Sequence, residues 1–92
     1  MLEVEWDPQK AAENEQKHGV TFEEAASALA DSLSLTIFDP DHSETEDRYL
    51  LLGVSSLNRL IVVSHTERDD RIRIISARIA HPRERRQYEE SS

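Results

Sequence analysis

The sequence predicts a small α+β domain in which two early helices pack on one face of a mainly antiparallel sheet. Three observations carry this. The apolar pattern changes to a period of two after Asp31, capping signatures precede the first two helical segments, and short turn signals divide the second half into consecutive strands. Strands joined by short turns pair antiparallel, so a meander follows.

Val4 and Trp6 alternate with Glu3, Glu5 and Asp7, which makes residues 2–6 a short strand. Asp7-Pro8 supplies an N-cap with proline at the first helical position, and Gly19 a stop after Lys17-His18, so a helix is predicted over 8–18. Thr21-Phe22-Glu23-Glu24 is a capping box, with Val20 and Ala25 placed as a hydrophobic staple, and a second helix should run from about 22 to 30. Leu33, Leu35 and Ile37 alternate with Ser34, Thr36 and Phe38 in a strand that ends at Asp39-Pro40, where an acidic loop through Asp47 begins. Arg48–Ser55 and Arg59–Thr66 are two further strands joined near Ser56-Leu57-Asn58. Arg68-Asp69-Asp70 is a turn, Arg71–Ile79 the next strand, and His81-Pro82 opens a short polar helix reaching about Tyr88 or Glu89. The predicted order is β-α-α-β-β-β-β-α.

Ninety-two residues without repeats or an internal linker make one domain over 1–92. A chain of this length buries only about 60–65% of its unfolded surface, so a partner would add to a modest stability. There is no cysteine, which excludes disulfides and thiolate metal sites. The acidic start, Met1-Leu2-Glu3-Val4-Glu5-Trp6-Asp7, does not read as a signal peptide, and no apolar run is long enough to span a bilayer. A soluble, cytoplasmic protein with no membrane association is expected.

The net charge of −8 argues against a nucleic-acid partner until its distribution is considered. Residues 1–67 hold four Lys/Arg against fourteen Asp/Glu, whereas residues 68–92 hold seven arginines against five acids. That asymmetry suits one basic working face. Asp39, Asp41, His42, Glu44, Glu46 and Asp47 offer metal-ligand atoms, but their spacing lacks the glycine and terminal glutamate of an EF-hand, so a solvated acidic loop is the preferred reading. Only Gly19 and Gly53 occur, and there is no phosphate-cradling glycine loop, G-x-S-x-G or H-E-x-x-H. No metal and no cofactor is expected.

Glu5-Trp6-Asp7-Pro8, Lys17-His18-Gly19-Val20 with Phe22-Glu23-Glu24-Ala25, His65-Thr66-Glu67-Arg68, and Ile74-Ile75-Ser76-Ala77-Arg78 follow one another in a single register. Together they resemble the successive signature segments of the BrnT toxin family, across nearly the whole chain. The resemblance implies a RelE-like fold and a ribonuclease that blocks translation. It also implies neutralisation by a BrnA-type antitoxin, through which DNA is contacted only indirectly. After Arg78 the sequence departs from the family pattern: Ile79, His81 and Pro82 stand where relatives carry a basic residue and then a threonine cap. The departure puts full catalytic strength in doubt and leaves the fold untouched.

Metal-independent cleavage by a neighbouring 2′-hydroxyl needs a base, cationic groups for the pentavalent phosphate and an acid for the departing 5′-oxygen. Arginine suits the middle task because its planar fork meets two phosphate oxygens and keeps its charge. His65, Glu67, Arg73, Arg78 and Tyr88 are the catalytic candidates, and Lys17, His18, Arg68, Arg71 and Arg85 the RNA-binding ones. If the last hairpin has the three-residue loop Arg68–Asp70, Glu67 lies opposite Arg71 and His65 opposite Arg73, which gathers acid, imidazole and guanidiniums on one face. With a two- or four-residue loop the faces differ and Glu67 meets Ile72, and the sequence leaves both open. Structural roles compete for each candidate: His65 as a half-buried strand residue, Glu67 in a cross-strand ion pair, Lys17 and His18 as cations at a helix C-terminus, Tyr88 in packing. Two other functions also stay open, a catalytically weak antitoxin-binding co-repressor and an RNA-binding protein that does not cleave. An isolated chain could also form a homodimer through an uncovered sheet edge.

Overall fold

The computed structural model describes residues 3–42 and 46–91. Leu2 of the predicted first strand, Glu44 of the acidic loop and the His42 side chain lie outside that description. The elements are β1 (Glu3–Glu5), α1 (Pro8–His18), α2 (Phe22–Ala28), β2 (Leu35–Phe38), β3 (Arg48–Val54), β4 (Leu60–Arg68), β5 (Arg71–Ile79) and α3 (Pro82–Ser91), with a 3-10 turn at Pro40–His42. This is the predicted order. β2 to β5 form the antiparallel meander, and β1 joins β5 in parallel, giving a sheet ordered β1-β5-β4-β3-β2.

Local chemistry sets the boundaries. The Asp7 carboxylate accepts from the Gln9 N–H at 2.8 Å, and Gly19, with φ of 69°, closes α1 by donating to the Glu15 carbonyl. Thr21 caps α2 by accepting from the Glu24 N–H at 3.0 Å. The other half of the expected capping box is absent, because the Glu24 carboxylate turns away to Arg59 and Ser55. α2 ends at Ala28, two residues early, in tight i+3 bonds from Leu29, Ala30 and Asp31. Asp31 then holds the Leu33 N–H and the Val54 N–H at 3.0 and 2.9 Å, so β2 begins at Leu35 rather than at Leu33. The β3–β4 connection is a turn from Ser55 to Asn58, with Asn58 in the left-handed region at φ 60°.

The sheet buries both faces unequally. On one, α1 and α2 cover a core of Val20, Phe22, Ala25, Ala28, Leu51, Ile61, Val63, Ile74 and Ala77, with Trp6 edge-on to Phe22 at 6.1 Å. Full burial of Phe22 contributes about 2–3 kcal/mol. On the other, α3 lies over a smaller cluster of Leu52, Leu60 and Val62, flanked by Leu35, Leu50, Val54 and Tyr88. β1 pairs only with Arg71–Arg73, which would leave the rest of the β5 edge bare. Asn14 of α1 substitutes for a strand there: its amide donates to the Ala77 carbonyl at 2.9 Å and accepts from the Ala77 N–H at 3.1 Å. A second bond to the Val20 carbonyl fixes α1 against the α1–α2 corner.

Candidate RNA-binding face

The last hairpin has a two-residue turn, Asp69-Asp70, with Asp69 at φ 54° and Arg68 opposite Arg71. The three-residue alternative is therefore corrected: Glu67 lies opposite Ile72, and His65 opposite Ile74 rather than Arg73. Further along, the register shifts, with Ser64 opposite Ser76 and His65 opposite Ile74, so Ile75 is an extra residue in β5. The bulge has a direct consequence for the site. Arg73 and Arg78 are an odd number of residues apart and would project to opposite faces of a regular strand. With Ile75 inserted, Arg73 pairs with Thr66 and Arg78 with Val62, and both fall on the face covered in part by α3.

Reading across that face gives successive rows. Glu3, Arg71 and Arg68 form one, Glu5, Arg73, Thr66 and Arg48 the next, Ser76, Ser64 and Leu50 a third, and Arg78, Val62 and Leu52 a fourth. Arg48 and Arg73 flank Thr66 from the two neighbouring strands, their backbones about 10 Å apart. A shallow groove lined by Asp39, Arg48, Leu50, Ser64, Ser76 and Arg78 runs over the serine row. Five arginines from three strands thus share half a sheet face with hydroxyls between them. Thr66 is fully buried beneath them, and its Oγ1 has no hydrogen-bond partner.

Carboxylates hold four of these guanidiniums, those of Arg68, Arg71, Arg73 and Arg78, in place. Arg73 Nη1 lies 2.9 Å from Glu5 Oε2, and Arg71 reaches Glu3 and Glu5 at 3.5 Å. Arg68 grips Glu46 through Nε and Nη2, both at 2.8 Å, and Arg78 grips Glu84 of α3 through Nη1 and Nη2 at 2.8 and 2.9 Å. The bonds from Arg68 and Arg78 hold the Glu46 and Glu84 carboxyls below their ordinary range and raise the two arginines in turn. Each paired arginine presents a planar fork already shaped for two anionic oxygens.

The remaining candidates are elsewhere. His65 is on the α1/α2 face, 3% exposed, stacked on Tyr49 at 5.8 Å, with neither ring nitrogen hydrogen-bonded. Burial pushes its pKa below the ordinary value, so the ring is neutral at pH 7, with only the Glu67 charge opposing that shift. Glu67 shares the His65 face and is exposed. Tyr88 donates to Asp31 Oδ2 at 2.6 Å and packs at the Leu60 end of the sheet, about 20 Å along β4 from Thr66. Asp31 raises the Tyr88 pKa, and that hydrogen bond lowers Asp31. Lys17 and His18 line a groove with Lys10, Asn14, Ile75 and Ser76, so they lie beside the β5 bulge, past the edge of the arginine face. Arg85 is exposed on α3. Sequence reasoning missed Arg48, Glu5 and Glu84. Arg48 had one available signal, the two-residue period it shares with Leu50 and Leu52 at the start of β3.

The chain is a small α+β protein with a mostly antiparallel five-stranded sheet and arginines gathered on half of one sheet face. A family model for the ribonuclease toxin BrnT of type II toxin–antitoxin systems matches residues 6–84, and the chain belongs to that family. Its fold is similar to the 1.1 Å crystal structure of the Brucella abortus ribonuclease toxin BrnT, with a TM-score of 0.64 and 23% sequence identity over 88% of this chain and 99% of that one. No curated protein matches. A type II toxin implies an antitoxin partner. Among the described residues no helix is long and apolar enough to cross a membrane.

Proposed function

We propose that the chain is a metal-independent endoribonuclease toxin acting in the cytoplasm, which cleaves RNA on the arginine face, stops translation and is neutralised by a BrnA-type antitoxin. The observation that carries the site is the Ile75 bulge, which aligns Arg73 and Arg78 with Arg48, Arg68 and Arg71. Substrate phosphate replaces carboxylate at the Arg68 and Arg78 forks and is bound beside Glu5 at Arg73. The 2′-hydroxyl loses its proton to Glu5, the carboxylate between Arg71 and Arg73, and attacks phosphorus. The pentavalent charge is met by Arg73 and Arg48, the 5′-oxygen leaves with a proton returned from Glu5, and a 2′,3′-cyclic phosphate remains. His65, neutral and enclosed on the opposite face, supports the structure in this reading, as Tyr88 does at the far end of the sheet. Lys17, His18 and Arg85 extend the contact with RNA beyond the reacting phosphate.

Antitoxin binding is supported by β2, an edge strand whose Ile37 and Phe38 are 57% and 48% exposed. Edges with apolar side chains and outward-facing backbone groups invite a covering segment.

The test is incubation of purified protein with bulk RNA in chelator, beside Arg73→Ala, Arg48→Ala and the opposite-face control Glu67→Gln. Cyclic phosphate ends are expected from wild type and Glu67→Gln and not from the two arginine variants. Intact RNA with ribosomes present as well would sink the enzyme reading.

A further inference from the structure

α3 lies over the small Leu52, Leu60 and Val62 cluster at the Arg78 end of the arginine face, with Tyr88 packed against it. None of its described residues is buried, and the groove beneath it, between Leu35, Ile37, Leu50, Leu52 and Val62 on one side and Glu84 and Gln87 on the other, is incompletely filled. Its polar side-chain ties to the sheet and to the α2–β2 connection include Arg78 to Glu84 and Tyr88 to Asp31. Glu84 has a second role, since Oε1 accepts from the His81 N–H at 2.8 Å, the backward half of a capping box. The carboxylate that starts the helix is therefore the one that fills the Arg78 fork, in the two-point geometry a phosphate would take.

We propose that α3 is a cover latched onto the arginine face by Glu84, and that an RNA phosphate must displace the Glu84 carboxylate from Arg78 to occupy the site fully. The proposal rests on the arginine face being the RNA site. Arg78 is half-buried, with its side chain 33% exposed, and its fork lies beside the groove over Ser64 and Ser76. A phosphodiester settling in that groove gains the two hydroxyls as donors as well as the freed guanidinium. Glu84 stays on the helix and its charge is repelled by the incoming phosphate, so α3 shifts away. Elements held by few buried apolar contacts open at low free energy, which makes such a movement accessible. Glu84 is on this argument a gating residue that touches no reacting atom.

The experiment compares binding of a fluorescent single-stranded RNA oligonucleotide to wild type, Glu84→Gln, the charge-matched control Glu90→Gln, and the Arg78→Ala and Arg78→Ala/Glu84→Gln proteins. Affinity is read across a salt series, with circular dichroism to confirm folding. Glutamine keeps an acceptor for the His81 N–H and lacks the charge that holds Arg78. Glu84→Gln should bind roughly three- to tenfold tighter at about 50 mM salt, with a salt slope steeper by about 0.7, the increment for one more phosphate contact on a single strand. Glu90→Gln should leave the slope unchanged, and Glu84→Gln should have no effect once Arg78 is alanine, an outcome that a general loosening of α3 would not give. Equal slopes in wild type and Glu84→Gln, or a gain that survives Arg78→Ala, would overturn the proposal. Tighter, Arg78-dependent binding by a protein that leaves RNA uncut would uphold the latch while the ribonuclease reading fails.

Discussion

Removing Arg59 should destabilise the fold more than any other change to a partly exposed charge, because it strands a buried carboxylate. The Glu24 side chain is 2% exposed and Arg59 38%. Arg59 binds Glu24 through Nε at 2.8 Å and Nη2, and reaches the Gly19 carbonyl at 3.0 Å, while Ser55 donates to the same carboxylate at 2.7 Å. Breaking a fully buried pair from one side costs about 3–5 kcal/mol. Water reaches the arginine, so half of that, about 2 kcal/mol, is the appropriate share. Loss of the bond to Gly19 adds about 0.5–1 kcal/mol. Arg59→Ala should therefore lose about 2–3 kcal/mol, which for a domain of this size lowers Tm by about 10–20 °C.

The sign of the pH dependence provides a sharper check. Arg59 holds the folded Glu24 pKa below its ordinary value of 4.5, so this contribution is complete at neutral pH and lost as pH falls below 4.5 through the folded value. Without Arg59, burial dominates and raises the folded pKa above 4.5. The variant should then gain stability on acidification from neutral pH towards about 4.5, opposite to wild type, and adding Glu24→Gln should recover about 1 kcal/mol at pH 7. Urea denaturation over a pH series measures both. A loss under about 0.5 kcal/mol, or pH profiles of the same sign, would refute the reasoning.

Two further outcomes follow from buried polar groups. Burial holds the folded His65 pKa below 6.5, so stability is full above that pH and should fall by up to about 1.4 kcal/mol per unit below it until the folded pKa is reached; denaturation of His65→Phe, which keeps an aromatic ring on Tyr49, should lack that component, and an identical profile would count against it. Asn14→Ala strands the Val20 carbonyl and both backbone groups of Ala77 and should cost about 2–4 kcal/mol, with faster hydrogen exchange at the Ala77 amide as the specific sign.

Most of the fold was legible because its signals are local. Asp7-Pro8 with Gly19, and Thr21 ahead of Phe22, fix both early helices through bonds spanning a few residues. Alternation after Asp31 and the turn at Ser56-Leu57-Asn58 fix the meander. The parallel placement of β1 against β5 was not legible, since it joins residues 3–5 to 71–73 and leaves no trace in either segment. Nor was the destination of Glu24, which sits at the capping-box position and spends its carboxylate on Arg59, thirty-five residues away.

The site divides along the same line. Arg73 and Arg78 could be singled out because a guanidinium between apolar strand residues needs a partner or a cleft. Whether they share a face could not, because their odd spacing argues against it and only the extra residue Ile75 brings them together. A bulge is specified by how two strands fit over a core, and nothing in Ile74-Ile75-Ser76 distinguishes the residue that drops out of register. The same shift, combined with the two-residue turn, sends His65 and Glu67 to the opposite face. The most suggestive residue type, a histidine amid a strand, is thereby enclosed against Tyr49, and Arg48, one of four Lys/Arg in the acidic stretch 1–67, joins the basic face. Local sequence nominated the cations. Register decided which of them could meet a phosphate together.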